Sequence, residues 1–191
     1  DVSVQLQVHS TRRTGWSVAN GQIDLAIIGG QLPGDLENLL QVIPYATDEL
    51  ALVLPSKHPL STKKELLKED LYKLNFVTLD SQSTTRKVVD KLLQDSGLDI
   101  QRLKIEMELN SLEAIKNAVQ SGLGASFLPV VSIERELLAG SIHKAFVADL
   151  EVKRELKLIT NPSRYTSRAS EVFKKNILPQ FASLESPLKY I

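Results

Sequence analysis

The opening stretch of the chain, Val4–Gly30, predicts a strand, a helix and a second strand in succession. Val4, Leu6 and Val8 alternate with polar residues, which is typical of a half-buried strand. Farther along, Ile23–Ile28 is an almost continuous apolar run. Such a run favours a strand that is covered on both faces, as in a parallel sheet.

The helix between these strands has recognisable ends. Ser10 or Thr11 can cap its start, because a short hydroxyl side chain accepts a hydrogen bond from a free amide of the first turn. Asn20-Gly21 ends it, since both residue types tolerate the left-handed conformation found at helix termini. Gly29-Gly30 then leaves the backbone bare after the second strand, so that a ligand can approach closely.

The same periodicities predict the remaining elements. Further strands are predicted at Glu49–Leu54, Phe76–Leu79, Ile105–Leu109, Ala125–Leu128, Ile142–Val147 and Leu156–Thr160. Further helices are predicted at Lys63–Leu71, at Thr84–Gln94, from Ser111 to Ser121, at Val131–Leu138 and at Ser167–Phe181. Strands and helices alternate, which indicates an α/β protein with mainly parallel sheets.

Two similar strand and helix units suggest two lobes. We expect residues 1–50 to form the N-terminal part of lobe I, residues 51–150 to form lobe II, and residues 151–191 to return to lobe I. The segments Asp48–Leu54 and Phe146–Leu156 are the candidates for the two crossings between the lobes.

Hydroxyl and basic side chains follow the predicted strand ends. In an open α/β sheet the carboxyl ends of strands and the N-termini of helices share one rim, where small ligands bind. Arginines, hydroxyls and free helix amides all suit an anion. The candidate effector-binding residues in lobe I are Ser10, Thr11, Arg12, Arg13, Thr14, Ile28 and Gly29.

Lobe II repeats this pattern. Its candidate effector-binding residues are Ser81, Gln82, Ser83 and Thr84, before the predicted helix, and Asn110, one strand later. Simple helix capping explains each loop taken alone. Repetition at several strand ends favours one anion site in a cleft between the lobes, of a size for a dicarboxylate or a phosphate.

Composition narrows the function classes. The 191 residues contain 23 Lys plus Arg and 23 Asp plus Glu, so the formal net charge is zero, which argues against direct binding of a nucleic-acid backbone. There is no cysteine for a disulfide, a thiolate metal site or a nucleophile. No apolar run reaches the length of a membrane span.

Catalysis finds little support in the sequence. His9, His58 and His143 are far apart and lack metal-ligand spacing, so we expect no metal site, no cofactor and no catalytic residue. The chain has no nucleophile elbow and no Walker-type phosphate loop.

Four motifs occur in an order that spans most of the chain. They are Asn20–Ile28 (NGQIDLAII), Leu52–Leu60 (LVLPSKHPL), Phe76–Arg86 (FVTLDSQSTTR) and Ala118–Pro129 (AVQSGLGASFLP). As a set they resemble the effector-binding domain of LysR-type transcriptional regulators. The opening HSTRRTGWSVANGQIDLAIIGG is similar to the CbbR-like branch, and most similar to cyanobacterial and plastid regulators of carbon metabolism (the CmpR, NdhR/CcmR and RbcR types).

This resemblance implies a fold and a function. The fold is two Rossmann-like lobes of the type II periplasmic-binding-protein architecture, joined by two crossing strands. The function is to sense an anionic metabolite, such as 2-oxoglutarate, 2-phosphoglycolate or ribulose bisphosphate, and to control carbon-fixation or inorganic-carbon-uptake genes. Homodimers or homotetramers, a cytoplasmic location without membrane contact, and DNA binding only through an N-terminal winged helix outside this chain are also implied.

The chain departs from the family pattern at its start. The family domain begins with another strand and helix before the stretch that starts here at Asp1. We therefore expect lobe I to lack one strand, effector affinity to be reduced, and the exposed sheet edge to promote association.

Two other functions fit the same architecture. A solute-binding protein of a transporter has the same two lobes, and an upstream helix-turn-helix or a signal peptide in the intact gene would separate the two. An enzyme needs a titratable pair in the cleft, and the rims offer Arg12, Arg13 and Arg86 but no evident base.

Overall fold

The computed structural model describes residues 3–182. Strands and helices alternate along most of this range, as predicted for an α/β protein. The seven strands are β1 Leu25–Ile28, β2 Gln41–Pro55, β3 Asn75–Leu79, β4 Lys104–Leu109, β5 Ser126–Pro129, β6 Ile142–Ala145 and β7 Lys153–Thr160. The α-helices are α1 Thr11–Ala19, α2 Gly34–Glu37, α3 Thr84–Asp95, α4 Leu112–Gln120, α5 Glu134–Leu138, α6 Arg168–Val172 and α7 Leu178–Ala182.

The described chain divides into two compact units. Unit 1 consists of the residues up to Thr47 and those from Glu155 onward, and unit 2 consists of Asp48–Arg154. The long strands β2 and β7 therefore carry the chain from one unit to the other.

In unit 1, β1 pairs antiparallel with β7, with Leu25 opposite Thr160 and Ile28 opposite Lys157. Helix α1 packs on this pair and on α2 through one buried cluster. Its members are Val18, Ala19, Ile28, Leu32, Leu36, Leu40 and Ile159. The cluster fixes α1 relative to β1.

In unit 2, β3 pairs parallel with β4, and β2 pairs antiparallel with both β5 and β6. The entry to β5 also bonds to β3, since the Val77 amide donates to the Ala125 carbonyl at 2.9 Å. The prediction of mainly parallel sheets is therefore wrong for the described strand pairs. The reason is that β2 and β7 cross between the units and run against their neighbours, a feature that local periodicity does not encode.

The predicted strand at Val4–Val8 is also wrong. Residues 3–10 have no regular secondary structure, and Val4, Leu6 and Val8 are 66%, 88% and 85% exposed. A groove of about 640 Å³ lies between this segment and β1. No strand of residues 3–182 pairs with this segment, so its apolar alternation has no partner to stabilise a strand. For the same reason β1 is only partly covered, and Ile27 is 41% exposed.

The predicted helix at Lys63–Leu71 is replaced by two short 3₁₀ helices, Pro59–Thr62 and Lys68–Lys73. Between them, Leu66 forms a bridge with Val147, and its amide donates to the Phe146 carbonyl at 2.8 Å. This tertiary pairing overrides the local helical pattern.

The predicted helix at Val131–Leu138 is shortened to a 3₁₀ turn, Val130–Ser132, followed by α5. The predicted C-terminal helix from Ser167 is present as α6, a π-helical segment at Phe173–Ile177, and α7. Tyr45 donates its hydroxyl to the Leu178 carbonyl at 2.8 Å and so ties β2 to this helix inside unit 1.

Gly124 permits the close approach of two strands. A Cβ at this position would lie 2.7 Å from the backbone oxygen of Asn75. Gly124→Ala should therefore lower the free energy of unfolding by about 1–3 kcal/mol, the usual range for overpacking. In Gly34→Ala a Cβ meets no atom within 4 Å, and the change should stay within about 0.5 kcal/mol. Urea unfolding of both variants checks this, and equal losses would contradict it.

Asp70 is a buried carboxylate that holds the 3₁₀ segment in place. Its oxygens accept hydrogen bonds from the Lys73 ammonium at 2.7 Å, the Leu67 amide at 3.2 Å and the Lys63 ammonium at 3.1 Å. The hydrogen bond from Lys73 lowers the pKa of Asp70 most, and the other two contacts lower it further. Together they hold this pKa well below its usual range. The stabilisation is therefore complete above the unfolded-state pKa and decreases as the pH falls through the lower folded-state pKa.

Asp70→Asn should accordingly lower the free energy of unfolding at pH 7 by about 1–3 kcal/mol. The difference from wild type should narrow below about pH 4, where the unfolded carboxyl begins to bind a proton. Asp95→Asn, which breaks an exposed pair with Lys91, serves as the control and should change little. Urea unfolding measures the difference in free energy of unfolding between wild type and Asp70→Asn. A difference that stays constant from pH 7 to pH 3 would refute this role.

Candidate functional site

The lobe II candidates lie at one edge of the parallel pair β3 and β4. Leu79 stands opposite Leu109 at the ends of these strands, and the Asp80 amide donates to the Leu109 carbonyl at 3.0 Å. Ser81, Gln82, Ser83 and Thr84 follow β3, and Asn110 follows β4. The structure therefore brings these candidates to one edge, as the sequence predicts from strand order.

Helix α3 begins at this edge with a hydroxyl cap. Ser83 has an extended backbone, its Oγ accepts from the Arg86 amide at 3.5 Å, and its carbonyl accepts from the Lys87 amide at 3.0 Å. The Asp80 carboxylate accepts from the Gln82 amide at 3.0 Å and shapes the loop. The 12-residue helix directs the positive end of its dipole at this loop, where an anion is favoured.

Arg86 belongs to the framework of the site. Its Nε lies 2.8 Å from both carboxylate oxygens of Asp90, and its Nη1 donates to Thr78 Oγ1 at 2.6 Å and to the Leu79 carbonyl at 3.2 Å. Glu108 is 3.5 Å from the same Nη1. The guanidinium thus fastens α3 to the ends of β3 and β4, with its Nε and Nη1 engaged within unit 2.

The space beneath α3 is too small for a metabolite. A cavity of about 40 Å³ lies between α3 and the sheet, lined mainly by apolar side chains such as Phe76, Val89 and Phe127. A cavity of this size holds a water or two at most. The exposed edge of unit 2, and not its interior, is therefore the candidate surface for a metabolite.

The lobe I candidates lie around the start of α1. Ser10 caps this helix, with its Oγ accepting from the Arg13 amide at 3.4 Å, and Thr11 is buried in the first turn. Arg12 Nη2 lies 3.4 Å from the Asp35 carboxylate, and both side chains are largely exposed. Arg13 makes no ion pair with any of residues 3–182. Thr14 faces the groove beside β1.

Ile28 and Gly29 close β1 in the same unit. The Ile28 side chain is 4% exposed and packs into the core cluster of unit 1, so only its backbone is open to a ligand. The lobe I and lobe II candidates belong to unit 1 and unit 2, respectively.

One group near the site was missed by the sequence analysis. Arg154, on β7, donates from Nε to Asp48 Oδ2 at 2.8 Å, and its Nη2 lies 2.7 Å from the same oxygen. Its Nη1 donates to Thr85 Oγ1 at 3.0 Å. The two charged side chains are only 11% and 8% exposed. A signal was present, because an aspartate and an arginine lie within the two segments predicted to cross between the lobes.

Among residues 3–182 there is neither a cluster of metal-ligand side chains nor a helix of membrane-spanning length. Within residues 3–182, no three His, Asp or Glu side chains are placed to hold a metal ion. His58 instead accepts from the Leu60 amide at 3.1 Å, a local structural role. No helix among these residues is long and apolar enough to cross a bilayer.

A family model and named relatives both match this chain. The model of the LysR substrate binding domain matches residues 1–182. A protein of Synechocystis sp. named "Probable RuBisCO transcriptional regulator" is 60% identical over 183 residues, which cover 96% of this chain and 53% of that protein. A protein of Porphyra purpurea with the same name is 58% identical over 182 residues, covering 95% and 57%. The chain thus spans about half the length of these relatives.

Solved structures show the same fold. The CcmR regulatory domain of Synechocystis PCC6803, in complex with 2-PG, superposes with a TM-score of 0.79 at 23% identity, covering 95% of this chain and 84% of that one. The effector-binding domain of QuiR, in complex with shikimate, gives a TM-score of 0.75 at 21% identity, covering 91% and 78%. These matches confirm the predicted type II periplasmic-binding-protein architecture.

The family model covers nearly the whole chain, and the relatives are far above the identity at which family membership is in question. The relatives are named as regulators and not as transport proteins or enzymes. Sequence motifs, fold and homologues agree, and this chain belongs to the family of LysR substrate-binding domains.

Proposed function

We propose that this chain is the ligand-sensing domain of a LysR-type transcription factor that controls RuBisCO or other carbon-fixation and inorganic-carbon-uptake genes. The observation that carries the proposal is its 60% identity, over 96% of the chain, to a protein named as a RuBisCO transcriptional regulator. The alternative of a transporter's solute-binding protein has no comparable support among the named relatives.

The ligand is an anionic metabolite, with 2-oxoglutarate, 2-phosphoglycolate and ribulose bisphosphate as the candidates. Supporting this, α3 directs its N-terminus and its hydroxyl-rich loop at the edge that Asn110 shares. The CcmR domain, which has the same fold, was solved with 2-PG. In lobe I the proposed contacts are Ser10, Thr11, Arg12, Arg13 and Thr14, with the backbone of Ile28 and Gly29.

The domain acts as part of a larger assembly. DNA is bound by an N-terminal winged helix outside this chain, which agrees with its zero net charge. The regulator works as a homodimer or homotetramer in the cytoplasm, and effector binding shifts the population of two arrangements.

Calorimetric titration with the three candidate metabolites tests this proposal. We expect one of them to bind with a dissociation constant between micromolar and millimolar. Ser83→Ala should weaken that binding by about 1–2 kcal/mol, since the loop loses both a hydroxyl and its helix cap. Ser167→Ala is the matched control, because it removes a comparable cap from α6 and should leave the affinity unchanged.

The same titration assigns the arginines of lobe I. Replacing the arginine that contacts the anion with alanine should cost about 1.5–3 kcal/mol of binding, the scale of a hydrogen bond to a charged group. Unchanged affinity in both Arg12→Ala and Arg13→Ala would exclude these side chains from the site. Absence of binding by all three metabolites would contradict the proposed ligand class.

A further inference from the structure

Arg154 forms a buried three-donor junction at the end of unit 2. Two of its nitrogens are directed at one carboxylate oxygen of Asp48, at 2.8 and 2.7 Å, and the third donates to Thr85 Oγ1 at 3.0 Å. Thr85 is the second residue of α3 and lies in its first turn. The junction therefore joins three segments, because Arg154 is 69 residues from Thr85 and 106 residues from Asp48 in sequence.

The backbone around the junction is also fixed. The Leu50 amide donates to the Val152 carbonyl at 2.8 Å, so β2 and the entry to β7 are paired two residues away from the ion pair. Asp48 and Arg154 are the first and last residues of the continuous stretch that forms unit 2. The junction thus connects the first turn of α3 to the two strands at the point where they leave this unit.

We propose that Arg154 is a positioning residue for effector binding: held by Asp48, it fixes the Thr85 hydroxyl and with it the anion-binding first turn of α3. This inference rests on the proposed function. The amides and hydroxyls at the start of α3 recognise an anion best when their geometry is held before the ligand arrives. Because linkage is reciprocal, an anion bound at this turn also stabilises the junction of the two crossing strands.

The chemistry of the Arg154–Asp48 ion pair favours a role in positioning the first turn of α3 over a role in stabilising the fold. Buried ion pairs contribute little net stability, because desolvation of both charges offsets their attraction, and in some proteins they instead specify one register or conformation. A guanidinium can serve the carboxylate and the hydroxyl at once because its donors are held in a planar fork. A lysine at this position presents a single nitrogen and cannot make the same set of contacts.

Amide hydrogen exchange measured by NMR on the full chain tests the restraint directly. The reporters are the amides of Arg86 and Lys87, which bond to Ser83 Oγ and to the Ser83 carbonyl. Thr85→Val, which keeps the shape of the side chain and the ion pair, should speed their exchange at least about tenfold, as expected for a lost hydrogen bond to a charged group. Arg154→Lys should act in the same direction.

The corresponding turn of α4 provides the internal reference. The amides of Ala114 and Ile115 bond to Ser111 in the same geometry. Glu136→Gln, which weakens the similarly buried pair of Glu136 with Lys116 of α4, is the matched control. We expect it to leave the exchange of Arg86 and Lys87 unchanged, whereas Thr85→Val should leave that of Ala114 and Ile115 unchanged.

Calorimetry of the same variants with the anion that binds wild type completes the test. Thr85→Val and Arg154→Lys should weaken binding at least about fivefold, and Glu136→Gln should not. Unchanged exchange at Arg86 and Lys87 in Thr85→Val would overturn the inference even if wild type binds an anion. Faster exchange in a chain that binds none of the three anions would establish the restraint on α3 and contradict the proposed ligand class.

Discussion

Burial of the second half of β2 on both faces is the constraint on which unit 2 depends. Leu50, Leu52 and Leu54 point into one core cluster with Phe76 and Leu93, and Val53 points into a second cluster that includes residues of α4. A strand covered on both faces must also satisfy its backbone along both edges, and β5 and β6 do this. Helices α3 and α4 are thereby held against the sheet, and their N-termini meet at the edge that carries the candidate site.

Local sequence pattern predicted the elements whose neighbours are close in sequence. The strands at β3 and β4 and the helices α3 and α4 are confirmed within a residue or two, because their apolar periodicity, their Ser83 and Ser111 caps and their terminating glycines agree. Predictions failed where a distant partner decides the outcome. Val4–Val8 has strand periodicity but pairs with none of the strands that the structure describes, and Leu66 pairs with Val147 instead of continuing a helix.

In the candidate site, too, features set by local sequence were predictable and features set by distant partners were not. Hydroxyl groups that follow a strand are visible in the sequence, so the edge formed by Ser83 and Asn110 was predictable from strand order alone. The partners of the arginines were not, since Arg154 meets Thr85 and Asp48 only in the folded chain. The sequence places Arg86 on a rim, and the fold makes it a structural anchor, because Asp90 and Thr78 engage its Nε and Nη1.

The most direct test of the account is to map where an anion binds. Amide chemical shifts of the chain, followed by NMR during titration with each of the three candidate metabolites, report every residue at once. We expect saturable shifts concentrated at Ser81–Arg86 and Asn110 in unit 2 and at Ser10–Thr14 in unit 1. Saturable shifts that lie elsewhere, with these loops unchanged, would contradict it.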